Sequence, residues 1–156
     1  MASRKIEDLH PESRKKFTEF LKKAKSEGID VLVYCTYRSE EEQQVLYMQG
    51  RLEKFGITLE ELNEKRKKLG LWTLSPSEAK RVVTNAKPWQ SAHQYSVAVD
   101  LVPLQGGKPA WNATETYRKL GEIAKKLELE WAGEWKRFRE MPHFQDSATW
   151  KKMRGR

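Results

Sequence analysis

Phe17, Phe20, Leu21 and Ala24 recur at helical spacing within residues 10–27, and Lys15, Lys16, Lys22 and Lys23 fall off that stripe. The pattern predicts an amphipathic helix with His10 at its start, Pro11 in its first turn and Gly28 as its stop. Residues 29–36 have the valine-rich, β-branched texture of a strand. Ser39 followed by three glutamates predicts a second helix, capped by the serine and carrying acids at the positive end of its dipole. That helix bears Gln43, Leu46 and Tyr47 and ends near Gly50. Residues 51–81 change texture: a charged helix over 59–69 lies between Gly56 and Gly70, and Ser75-Pro76-Ser77-Glu78 starts a turn or short helix. The charge run reads as a solvated face, and the stretch as a helical excursion that walls one side of a cleft. Residues 82–84 then resume extended structure, and residues 97–102 alternate as a strand ending at Pro103. Gly106-Gly107-Lys108-Pro109 is a turn. Asn112-Ala113-Thr114 offers caps for a helix to about Leu127, residues 131–135 form a small segment, and residues 143–145 make a last short strand. The basic tail, 151–156, is expected to fray. Helices and strands do not alternate strictly, so the fold class is α+β.

At 156 residues the chain fits one domain, 1–156, with no second module expected. Charged residues make up 33% and aromatics 10%, which excludes a disordered chain and leaves a polar exterior around a real core. No stretch approaches the ~20 apolar residues of a membrane helix, so membrane insertion is not expected. The first residues lack the apolar core of a secretion signal, so synthesis in the cytoplasm is expected. The single cysteine, Cys35, forbids an internal disulfide and every multi-cysteine zinc site, and its neighbours make it a small core residue. The net charge of +8 suits an anionic partner, either nucleic acid or cell-wall polymer.

Two of the three histidines sit in suggestive company. Ser91-Ala92-His93 is followed by Asp100 within an apolar strand, and Glu140 stands three residues before His143. An acid in such a strand is costly unless it is paired or binds metal. Two imidazoles and one carboxylate would leave a fourth zinc position open, as catalytic sites require. A turn near Tyr95-Ser96 would fold His93 and Asp100 together, and Pro142 keeps Glu140 and His143 on extended backbone. Each residue also has a plain reading: a satisfied polar histidine, or an aspartate answering one of many cations.

The order Ser91-x-His93, Ala98-x-Asp100, Glu140-x-x-His143 resembles the VanY-like zinc peptidases of bacterial cell-wall metabolism. Tyr37-Arg38-Ser39, Gln43, Leu46-Tyr47 and Gln49-Gly50-Arg51 are similar to the family's upstream segment. Residues 83–88 and 131–135 look most like its L-alanyl-D-glutamate endopeptidase endolysins. The resemblance implies an antiparallel sheet flanked by helices and one zinc ion held by His93, Asp100 and His143. It also implies Glu140 as catalytic base, Arg38 on the substrate or oxyanion, and Ser91 and Gln43 in support. Where the family has glycine, this chain has Ser96 and Ala132, which puts the local turns in question.

The expected function is therefore lysis of bacteria by cutting the peptidoglycan stem peptide, with the enzyme reaching the wall after release from the cytoplasm. A monomer is expected, with no nucleic-acid partner and with the basic surface docking on anionic wall polymers. A D-alanyl-D-alanine carboxypeptidase is the nearest alternative. A basic nucleic-acid binder and a metal-bearing, non-catalytic domain are more distant ones.

Overall fold

A computed structural model describes residues 2–137 and 139–155. The first amphipathic stripe forms helix α1 (Pro11–Ser26), whose start is capped by the His10 ring accepting from Glu12 N–H at 3.3 Å. Strand β1 (Asp30–Cys35) follows, then α2 (Glu40–Met48), where Ser39 Oγ accepts from Glu42 N–H at 3.1 Å. The excursion contains α3 (Leu52–Phe55), α4 (Leu59–Lys68) and α5 (Pro76–Ala79), the last two opened by reciprocal capping boxes at Thr58/Glu61 and Ser75/Glu78. Then come β2 (Ala98–Gln105), β3 (Lys108–Pro109), α6 (Thr114–Lys126), β4 (Glu130–Trp131), β5 (His143–Gln145) and α7 (Ser147–Arg154). The strands pair antiparallel in the order β1-β2-β5-β4, with β3 beside β2. The α+β class holds.

The main core lies between the sheet and two helices. Phe17 and Phe20 of α1, Val99 and Leu101 of β2, Tyr117 and Leu120 of α6 and Phe144 of β5 are all buried there. Phe144 meets Phe20 at 5.2 Å and stacks on Trp131 at 6.2 Å, which seats β5 on the core. Gly121 makes room for Trp131: a Cβ there would fall 2.3 Å from the indole ring. A second, smaller cluster of Val45, Leu62, Leu74 and Ala79 packs the excursion against α2.

Several sequence expectations need correction. Residues 82–84 join no strand, and Val82 and Val83 are half exposed. Strand β2 runs through Pro103 to Gln105, because a proline removes only a donor and the Pro103 carbonyl still accepts from Ala110 N–H at 2.8 Å. Lys108–Pro109 is a short strand rather than part of the turn. Helix α6 begins at Thr114 without a side-chain cap. The tail is not frayed over residues 151–154: Asp146 Oδ1 caps α7 by accepting from Thr149 N–H at 3.2 Å, and Trp150 packs beside Val97 and Ala98. Arg156, the last residue of that tail, lies outside the described residues.

Candidate active site

Ser91 caps a 3₁₀ turn over Ala92–Tyr95, its Oγ accepting from His93 N–H at 3.3 Å. The turn ends on Ser96, whose φ of 59° is left-handed, and Val97 then leads into β2. A serine there costs about 1–2 kcal/mol relative to a relaxed backbone. Ala132 has no such requirement, since it is not among the residues with positive φ. Strand alternation sends Val99 and Leu101 to the core and Asp100 to the opposite face. Register places Asp100 directly across from His143 on β5. Glu140 and His143 are the two ends of a turn closed by His143 N–H to Glu140 O at 3.3 Å. That turn is pinned by Trp131 Nε1–H donating to Met141 O at 2.7 Å and by Glu140 N–H donating to Ala132 O at 3.2 Å.

The three expected metal-facing residues converge. Asp100 Oδ1 is 3.2 Å from His93 Nε2 and 3.0 Å from His143 Nδ1, and Glu140 Oε2 is 4.0 Å from the latter nitrogen. The opposite edges of both rings are already committed. His93 Nδ1 lies 3.0 Å from Thr36 O, a carbonyl that can only accept, so Nδ1 carries hydrogen there. His143 Nε2 lies 2.8 Å from Gln145 Oε1. Each neutral ring therefore turns a lone pair toward the same carboxylate oxygen, and only a proton or a metal ion reconciles them. Buried His93 Nε2 has no hydrogen-bond partner, although Asp100 is so near. Burial pulls the His93 pKa down, but Asp100 and then Cys35 more than reverse this and push it up to about 10. Burial raises the Asp100 pKa, yet the two imidazoles hold it far below the usual carboxylate range. Two nitrogens with one carboxylate oxygen are a donor set that suits zinc.

Arg38 is brought to the same corner. Its Nη2 is 3.8 Å from Asp100 Oδ2, its Nη1 donates to Gln43 Oε1 at 3.1 Å, and its Nε is 3.5 Å from Glu42 Oε2. Gln43 is fully buried and ties this arginine to the cleft wall by donating to Ala86 O at 2.7 Å. All seven residues singled out in the sequence (Arg38, Gln43, Ser91, His93, Asp100, Glu140 and His143) are therefore linked in one region.

Sequence reasoning missed others. Cys35 is buried as expected, but its Sγ touches His93 Nδ1 at 3.6 Å and Arg38 Nη2 at 3.5 Å. Cys35, His93 and Asp100 also bring donor atoms within 4.8 Å of one another. The thiol meets His93 at Nδ1, whereas Asp100 lies at Nε2 of the same ring. Tyr34 beside the corner has its hydroxyl pKa raised by burial and by Asp100. Glu42 and Gln145 were also missed, and the two-residue period of the last strand was the available signal for Gln145. Trp72, Trp89 and Trp111 are exposed, so none is a core residue; Trp111 packs edge-on against Tyr34 at 5.5 Å, at the rim. Glu134 lines a separate depression with Arg118 and Arg139.

A cavity of about 440 Å³ opens before the corner, walled by Arg38, Ser91, Thr84, Trp135 and Gln145. A second, of about 450 Å³, is walled by Tyr34, Trp111, Arg139 and Met141. Val83, Asp100, Glu140 and His143 line both.

Asp100 and His143 on the sheet, His93 on the turn before it and the adjacent Glu140 form a corner that a metal ion would fit, at the meeting of two cavities. The chain belongs to the VanY family, described as D-alanyl-D-alanine carboxypeptidase, whose pattern matches residues 6–141. It is 31% identical to the peptidoglycan L-alanyl-D-glutamate endopeptidase CwlK of Bacillus subtilis strain 168, over 88% of this chain and 73% of that one. Its fold is similar to that of the L-Ala D-Glu endopeptidase ChiX of Serratia marcescens, with a TM-score of 0.57 at 18% identity over 93% of this chain and 87% of that one. A mutant of the vancomycin-resistance D,D-pentapeptidase VanY, solved with Zn(II), gives a TM-score of 0.53 at 19% identity, covering 92% and 76%.

Proposed function

We propose that this chain is a zinc-dependent endopeptidase of the endolysin type, cutting the L-alanyl-D-glutamate bond of the peptidoglycan stem peptide and so lysing bacteria. The observation that carries this reading is that two cavities, of about 440 and 450 Å³, share Asp100, Glu140 and His143 in their walls. An internal bond needs room for chain on both sides of the reacting carbonyl, whereas a carboxypeptidase needs only one arm. The 31% identity to CwlK supports the same bond.

His93 through Nε2, Asp100 through Oδ1 and His143 through Nδ1 would hold one zinc ion. Bound there, zinc supplies Lewis acidity that brings the pKa of a water towards ~7 and polarises the scissile carbonyl. Glu140, its side chain 52% exposed to the cleft, takes the proton as the water oxygen bonds to the carbonyl carbon. It then delivers that proton to the departing amine as the C–N bond breaks. Arg38, held by Gln43 and Glu42, offers positive charge to the developing oxyanion or a substrate carboxylate. Ser91 sets the turn that aims His93.

The whole chain works as one catalytic unit, a monomer with no nucleic-acid partner. It is made in the host cytoplasm and acts on the wall after release. No helix among the described residues is long and apolar enough to cross a membrane. The +8 surface docks on anionic wall polymers, so lysis weakens as ionic strength rises.

Mass spectrometry of peptidoglycan digested by the zinc-loaded protein tests the reading. New D-glutamate amino termini are expected. Release of D-alanine instead would assign the D,D-carboxypeptidase alternative.

A further inference from the structure

His143 and Gln145 lie two apart on β5 and so share a face, while Phe144 between them enters the core. Gln145 is buried and pairs across the sheet with Glu130 of β4. Its amide nitrogen donates to Ser147 Oγ at 2.8 Å and approaches Glu130 Oε2 at 3.4 Å, and the Ser147 hydroxyl donates to that same Glu130 oxygen.

The directions in this chain are forced from its far end. A carboxylate only accepts, so the Ser147 hydrogen points to Glu130 and its lone pairs face Gln145. The Gln145 NH2 group must then face Ser147, which leaves Oε1 toward His143 Nε2 at 2.8 Å. A carbonyl oxygen there demands Nε2–H, and the lone pair of the ring falls on Nδ1, the atom 3.0 Å from Asp100. The flipped amide would set a carbonyl against the Glu130 carboxylate and favour hydrogen on Nδ1, the tautomer that cannot bind metal through that atom.

We infer that Gln145 is a positioning residue, polarised by Glu130 through Ser147, that holds His143 in the Nε2–H tautomer required to bind metal through Nδ1. The inference rests on the zinc reading above but concerns a residue outside the expected ligand set. Thr36 O plays the matching part for His93, and that part needs no side chain.

The test compares zinc affinity, by competition with a chromophoric chelator, in wild type, Gln145→Met and Gln145→Glu. Gln145→Met removes the acceptor at similar volume and is expected to weaken zinc 10–100-fold, as loss of an outer partner typically does. Gln145→Glu restores an acceptor and should bind zinc within a few-fold of wild type. ¹⁵N histidine spectra of the zinc-loaded protein should show hydrogen on His143 Nε2 in wild type and lose that signature in Gln145→Met. Thermal melts of the metal-free proteins, expected to agree within a few degrees, separate this effect from misfolding. If Gln145→Met binds zinc as tightly as wild type, Gln145 has no positioning role while the zinc reading stands. If wild type itself takes up no zinc, both fall.

Discussion

The two apolar clusters are built on opposite plans. The larger joins α1, β2, α6 and β5, segments far apart in the chain, and from it hang Asp100 and His143 by strand register. The smaller is closed largely by neighbours in sequence, with two capping boxes and Leu62 buried at its centre. It reaches the cleft through Val45 of α2, the helix that bears Gln43 and Leu46, and through the segment around Thr84, whose carbonyl Arg51 of the excursion's entry holds at 3.0 Å. The metal corner and the substrate wall are therefore supported by different parts of the molecule, and damage to one should leave the other's property intact.

That separation can be broken or sharpened by measurement. Asp100→Asn should have the largest effect, weakening zinc by more than about 100-fold, beyond what loss of an outer partner costs. Activity should vanish with it; an Asp100→Asn protein that still held zinc would remove this corner as the metal site. Glu140→Gln comes next: turnover on peptidoglycan should drop about 10²–10⁴-fold while zinc affinity stays within a few-fold. Wild-type turnover in that variant would assign the base elsewhere.

Leu62→Ala, on the excursion side, should cost about 2–5 kcal/mol in denaturant unfolding. It should raise KM through a loosened wall and leave zinc affinity unchanged; a parallel loss of zinc would show that the two regions are one. Asp146→Asn probes the staple between α7 and α1. Burial raises the Asp146 pKa, but Lys16 at 2.8 Å, with Thr149 and Ser13, more than reverses it, so the folded value lies below the unfolded 3.8. Its stabilisation is thus full above pH 3.8 and disappears as pH falls through the depressed folded value. At pH 7 the substitution should cost about 1–3 kcal/mol, and melts in strong acid should bring variant and wild type together. The smallest change is Thr58→Ala, about 1 kcal/mol from a lost cap, with turnover and zinc affinity untouched.

The sequence made local features readable and long-range ones less so. Ser39, the glycines that bracket the charged run over 59–69 and the stripe of α1 act within a few residues, so spacing alone located their helices. The convergence of His93, Asp100 and His143 needed the family resemblance, because β2–β5 register is not written in either segment. Helix α7 was hidden because Lys151, Lys152 and Arg154 masked the spacing of Trp150 and Met153. Cys35 looked like core and is buried as core. Its contact with His93 depends on the 3₁₀ turn before β2 coming to rest beside the end of β1.

Gly50 carries a consequence for how such molecules diversify. Its N–H donates to Ala79 O at 2.9 Å, and a Cβ on it would fall 2.7 Å from Val82 N, so the chain leaves for the excursion and returns at nearly one point. An insertion whose entrance and exit touch behaves as a cassette: it can lengthen, shrink or be exchanged while the strands keep their register. None of its residues lines either cavity at the corner, so such change would leave the groups that do the chemistry in place.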